Sequence, residues 1–225
     1  MNKLLRMYKS TTLLLLLLAM TFNLSFVSKG HADSITLDLN YEFSGGQSPV
    51  GDPAPWLQAT FTDITNGVLL KMEAVNLTHA EWVKEWYFNF DETKNVNDLV
   101  FAYQSGIKAF AVNRKKSQLQ ADGDGVFDFK FQFPTKKSDR FGLGSTSIYL
   151  ITGIDGLNIY DFDFLSEVNG GQGIFASAAH VGSIGEGAEG SGWIGTTPVP
   201  EPASIFCLGT GLFGLCVFRK RLKKN

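Results

Sequence analysis

Residues 121–134 read ADGDGVFDFKFQFP. Phe127, Phe129, Phe131 and Phe133 alternate with Asp128, Lys130 and Gln132, and Pro134 ends the run. A period of two puts successive side chains on opposite faces of a strand, so four aromatics enter a core while three polar residues meet water. Proline then removes a ladder donor and stops the strand. The pattern recurs near the start: Ile35, Leu37, Leu39, Tyr41 and Phe43 alternate with Thr36, Asp38, Asn40 and Glu42. In FTDITNGVLLKMEAV, Asn66 and Gly67 suit a two-residue type I′ turn, because both positions need positive φ. Further strands are expected at Trp86–Phe90, Leu99–Tyr103, Ile107–Val112, Ile148–Thr152, Tyr160–Phe164 and Phe175–Val181, with one helical turn around His79–Lys84. Many short strands without a long helical period predict an all-β, antiparallel β-sandwich of jelly-roll type over residues 33–181.

The flanks differ in kind. Lys3, Arg6 and Lys9 precede the leucine run Leu13–Leu18, and Gly30-His31-Ala32 presents small residues where signal peptidase reads. This is the three-part pattern of a secretory signal, residues 1–32, cut after Ala32; a retained N-terminal anchor is the alternative. From Asp33 to Pro200 there are 21 carboxylates and 11 Lys or Arg, a net of −10. Such an acidic body excludes nucleic acid as a partner, which needs a basic footprint. Cys207 and Cys216 both lie near the end of the chain, so the body has neither a disulfide nor a cysteine nucleophile. Residues 182–197, GSIGEGAEGSGWIGTT, read as a glycine-rich linker. Ala203 to Phe218 carries no charge and would rise about 24 Å as a helix, a short transmembrane span. Arg219, Lys220, Arg221, Lys223 and Lys224 follow as a stop-transfer cluster for the cytoplasmic side.

Val199-Pro200-Glu201-Pro202, the apolar span and the basic tail together resemble the PEP-CTERM sorting signal, also catalogued as the ice-binding protein C-terminal type. The resemblance covers residues 198–225 and makes Val199, Pro200, Glu201 and Pro202 the recognition motif. It implies export with a signal at each end and a transient hold in the inner membrane. It further implies processing by the membrane enzyme exosortase, a mature form at the cell surface or outside, and association with exopolysaccharide and biofilm. VKEWYFNFD, LITGIDGL, DFDFLS and GSGWIG resemble a body that recurs in such proteins across residues 75–195; this implies architecture alone.

Three constellations bear on chemistry. Asp122, Asp124 and Asp128 alternate with glycines, as oxygen ligands for Ca²⁺ would, but Phe133 stands where an EF-hand loop has glutamate. A solvated Asp-Gly hairpin turn is the competing reading. Asp155, Asp161 and Asp163 could complete the site if the fold brought them near. Trp82, Trp86, Tyr87 and Trp193 could form an aromatic face for carbohydrate. Glu81 and Glu85, beside Trp82 and Trp86, are the residue types of a glycoside hydrolase. Against catalysis, His79 and His180 are the only histidines after residue 32, and no nucleophile elbow or zinc helix motif occurs. The threonines show no regular repeat of an ice-binding face. The expectation is a non-catalytic cell-surface or matrix protein, with a calcium-assisted carbohydrate-binding module as the second reading.

Overall fold

A computed structural model describes residues 32–51, 53–78, 80–171 and 173–198. The expected leader up to residue 31, His79, the motif residues Val199, Pro200, Glu201 and Pro202, the apolar span and the basic tail lie outside them. Ala32 is exposed, and the sheet begins directly after it, with Asp63 N–H donating to Asp33 O at 2.9 Å.

Eleven strands follow: β1 Ser34–Glu42, β2 Leu57–Ile64, β3 Gly67–Ala74, β4 Trp82–Phe88, β5 Val100–Gly106, β6 Ala111–Ala121, β7 Asp124–Gln132, β8 Phe141–Gly142, β9 Thr146–Thr152, β10 Ser177–Ile184 and β11 Gly190–Thr196. Every pairing is antiparallel, and the order is β5-β9-β3-β2-β1-β11-β10-β4-β7-β6, with β8 on β4. The fold is therefore all-β, as expected. The two layers, however, are halves of one curled sheet, where a jelly roll would have two sheets. Register breaks in β1–β11, β10–β11 and β10–β4 fall at the middle of the order. Bulges bend and twist a strand, which lets the sheet turn over there.

Aromatic contacts prove the curl. Phe61 of β2 meets Phe88 of β4 at 5.6 Å, Phe101 of β5 meets Phe129 of β7 at 5.3 Å, and Phe131 of β7 meets Tyr149 of β9 at 4.8 Å. These strands stand far apart in the sheet order, so only folding the sheet on itself brings them together. Phe129, Phe131 and Phe133 enter this core as the alternation predicts. Phe127 does not: it joins a second cluster with Phe43, Tyr87 and Phe175. The register of β6 on β7 breaks between Arg114 and Leu119, just where the phenylalanines divide.

Other expectations move. The β2–β3 hairpin closes at Ile64 and Gly67, so its loop is Thr65-Asn66, and only Asn66 has positive φ, at 65°. The turn with positive φ at both central residues is Asp122 (55°) and Gly123 (81°), between β6 and β7. Residues 82–84 are strand where a helical turn was expected, and Ile159–Phe162 is a 3₁₀ turn where a strand was expected. Ile107–Phe110 lies ahead of β6, which runs on to Ala121. The largest correction is residues 182–197. They are no linker: they form the end of β10, a tight turn and β11, a central strand. Among the described residues, no helix is long and apolar enough to cross a membrane.

Phe129 is fully buried against Phe88, Phe101 and Phe162. Phe129→Ala should therefore cost about 3–5 kcal/mol in urea unfolding, the range for a large cavity in a packed core; a loss under about 1 kcal/mol would contradict this packing.

Candidate functional site

The expected metal residues do not converge. Asp122 is the first residue of the β6–β7 turn, and burial, with Asp124 and Glu42 nearby, raises its pKa. Asp124 accepts from Gly171 N–H at 2.8 Å. Asp128 is buried, with one oxygen on Phe90 N–H at 2.9 Å and the other on Ser117 N–H at 2.7 Å. Burial raises its pKa against those two hydrogen bonds. It clamps β6 and the end of β4 onto β7. Asp161 caps the 3₁₀ turn through Asn158 N–H at 3.0 Å and pairs with Lys94 at 2.5 Å. Among the described residues no group of three or more His, Cys, Asp or Glu could hold a metal.

The four expected aromatics divide. Trp86 points into the core, fully buried, and its indole donates to Ser177 Oγ at 2.9 Å. Trp82, Tyr87 and Trp193 belong to the other face of β4, β10 and β11. Tyr87 and Trp193 meet edge-on at 5.5 Å, and His180 stacks on Trp193 at 4.6 Å and 7°. His180 faces Glu85 across β10 and β4, and Trp193 across β10 and β11. Glu85 accepts from Tyr87 Oη at 2.5 Å, Lys130 Nζ at 2.9 Å and Gln132 Nε2 at 2.7 Å. The result is an aromatic cluster edged by a fixed polar row, with Tyr87 buried and Trp193 and His180 half-buried.

Electrostatics follow from that packing. Burial pushes the Glu85 carboxyl up, but the bonds from Tyr87, Lys130 and Gln132 and the Lys130 charge outweigh it, and its pKa ends below the usual value. Burial, reinforced by Glu85, drives the Tyr87 phenol well up. Burial and then the Lys84 charge lower His180 to about 4 against the pull of Glu85, so its ring is neutral at pH 7. Glu81, the other carboxylate of the expected pair, is buried and holds Val50 N–H and Thr78 N–H, each at 2.7 Å.

Trp82 stands apart. Its indole donates to Ser183 Oγ at 3.2 Å, and the Arg140 guanidinium lies 4.3 Å from its ring centroid. Both border a cleft of about 550 Å³ with Lys137, Ser145 and Gly142. Arg140 and Lys137 carry no signal in the sequence, since an irregular loop brings them here. Lys130 and Gln132 were legible as the polar positions between the phenylalanines.

Two outcomes are expected. Asp128→Ala should lower stability by about 1–3 kcal/mol by orphaning two buried backbone donors, equally in Ca²⁺ and in chelator; dependence on Ca²⁺ would restore the metal reading. Because His180 titrates lower folded than unfolded, the unfolded chain takes the proton first. Stability is then full above about pH 6.5 and falls as pH drops toward 4, and His180→Phe should remove on the order of 1 kcal/mol of that fall between pH 7 and 5.

No curated protein and no solved structure matches the chain. Residues 198–221 match the PEP-CTERM protein-sorting motif, beginning two residues after β11 ends at Thr196. That motif implies targeting to exosortase, export, a membrane-anchored precursor and a final place at the cell surface. The chain is thus a PEP-CTERM sorting-domain-containing protein, an all-β body carried ahead of its sorting motif.

Proposed function

We propose that this is a non-catalytic surface or matrix protein of the biofilm, whose β body holds to exopolysaccharide through the Trp193 face. The observation that carries the reading is the cluster of Trp193, Tyr87 and His180 beside the Glu85–Lys130–Gln132 row. An amphipathic ring offers a sugar its apolar face, while fixed donors and acceptors at the edge meet hydroxyls. Three carboxylates, Glu81, Glu85 and Asp128, support binding over hydrolysis. Glu81 and Asp128 each hold two backbone donors, and Glu85 receives three side chains, so none stands ready as an acid or base. Calcium assistance has no support from Asp122, Asp124 and Asp128, which serve a turn and separate loops. In this reading signal peptidase cuts after Ala32, Glu201 presents the carboxylate that exosortase reads, and residues 203–218 span the inner membrane with the basic tail in the cytoplasm.

Two measurements test the proposal. Intact mass and fractionation should find the wild type shortened at both ends and outside the cell, and Glu201→Ala retained in the membrane; identical fates would refute the processing step. On a column of the organism's own polysaccharide, the wild type should be retained without release of sugar, and Trp193→Ala should elute about tenfold more readily. Liberated reducing ends would overturn the non-catalytic reading.

A further inference from the structure

The cleft beside Trp82 has chemistry of its own. The Arg140 guanidinium lies 4.3 Å from the indole centroid, and its Nε donates to Thr135 O at 2.8 Å. The ring contact and this bond together restrain the guanidinium. Its remaining donors have no acceptor among the described residues. Lys137, exposed, borders the same cleft, and Lys84 Nζ lies 5.7 Å from the same ring. Among the described residues, the ion pairs join Lys71 to Glu73, Lys94 to Asp161 and Lys130 to Glu85, and none involves these three cations. In a body with 21 carboxylates against 11 cations, Arg140 and Lys84 beside the Trp82 ring and Lys137 on the cleft lining gather three cations outside any ion pair.

Carboxylates also lie nearby and keep their charge, but none forms an ion pair with these cations. Glu81 borders the cleft, but its two oxygens are held by Val50 and Thr78 N–H. Asp139 accepts from Ser138. Glu186 and Glu189 are exposed on the turn that brings Ala188 to the rim. Ser145 and Ser183 accept from Gly142 N–H and the Trp82 indole, so each keeps an O–H to donate. The volume, about 550 Å³, falls in the range of small-ligand sites.

We propose that the cleft of Trp82, Arg140 and Lys137 binds the carboxylate of a uronic acid unit, so that the polysaccharide this protein holds is an acidic one. A planar guanidinium already restrained by the ring and by Thr135 O loses little further freedom on forming a two-pronged bond to a carboxylate. Lys137 adds charge, and the serine hydroxyls reach the sugar's own. The proposal rests on the saccharide-binding reading, and names the class of sugar.

The test is affinity electrophoresis and calorimetry on the full chain in mild detergent, with polygalacturonate, uncharged dextran and inorganic phosphate as probes. Polygalacturonate should retard the wild type, more strongly at low salt, and dextran should retard it less. Lys137→Gln and Arg140→Lys should each weaken polygalacturonate binding several-fold, and Arg140→Gln about tenfold, while Lys108→Gln, whose side chain lies over Tyr103, should leave it unchanged. Lys137 is exposed and makes no bond among the described residues, so its variant cannot fail through misfolding. Equal binding by Lys137→Gln and the wild type overturns the proposal. So does competition by phosphate as strong as that by galacturonate oligomers, which would make this a general anion site. Dextran binding lost in Trp193→Ala, without polygalacturonate binding, sinks the cleft and spares the Trp193 face; binding to no polysaccharide sinks both.

Discussion

The inner face of this sheet packs mainly on itself, with Phe162 of the 3₁₀ turn wedged against Phe61 and Phe129. No α-helix lies over it among the described residues, and no cysteine between Asp33 and Pro198 can staple it. Burial must come from strands at opposite ends of the order, and large rings are what bridge the gap. Phe129 touches Phe88, Phe101, Phe131 and Phe162, and Phe88 touches Phe61, so one aromatic network ties β2, β4, β5 and β7. Each ring removes a large apolar area from water, and edge-on pairs add to that. The abundance of phenylalanine in the sequence follows from this demand.

The same constraint explains the fate of the acidic residues. A curled sheet leaves irregular loops at its ends, and their buried N–H groups need acceptors. Glu81, Asp128 and Asp161 supply them, each through bonds to main-chain N–H groups. No buried side-chain nitrogen or oxygen is left without a partner among the described residues. Carboxylates that read in sequence as ligands or catalytic acids are thus mostly occupied in holding loops. What remains for the surface is the outer face, where Glu85 sets the polar row and the aromatics gather.

Strand identity was legible wherever period two ran unbroken, as at Phe129–Phe133 and Leu37–Leu39. It failed where a bulge shifted the phase. Trp86 shares its face with Phe88 by plain alternation, but Trp82 counts as outward only once the break at Lys84 is known, where Glu85 pairs with His180 and Val83 with Val181. The last hairpin failed for another reason. Glycine in residues 182–197 reads as freedom, but in the fold it marks close approach: a Cβ at Gly195 would sit 2.7 Å from the Phe175 ring, and one at Gly192 2.2 Å from Gln47 O. Single residues also carried the aromatic site only in part. Tyr87 and Trp193 lie 106 positions apart in the chain, and only the β4–β10–β11 ladder makes them neighbours. Arg140 arrives on a loop, so its contact with the Trp82 ring had no signature at all.

β11 is the last strand in the chain and a middle strand in the sheet. It joins β1 to β10, the two halves meeting through Leu39–Thr196, Tyr41–Gly195 and Glu42–Ile194. Without β11 the order is two runs, β5-β9-β3-β2-β1 and β10-β4-β7-β6, with unpaired edges at β1 and β10. The strand that completes the sheet ends two residues before the sorting motif begins. The geometry also sets a limit for the processing enzyme. A cut before Thr196 would pull out the seam between the halves, whereas one past Pro198 leaves it whole. The seam strand thus sets an inner boundary: any shortening of the chain that keeps the sheet joined must leave it intact through Thr196.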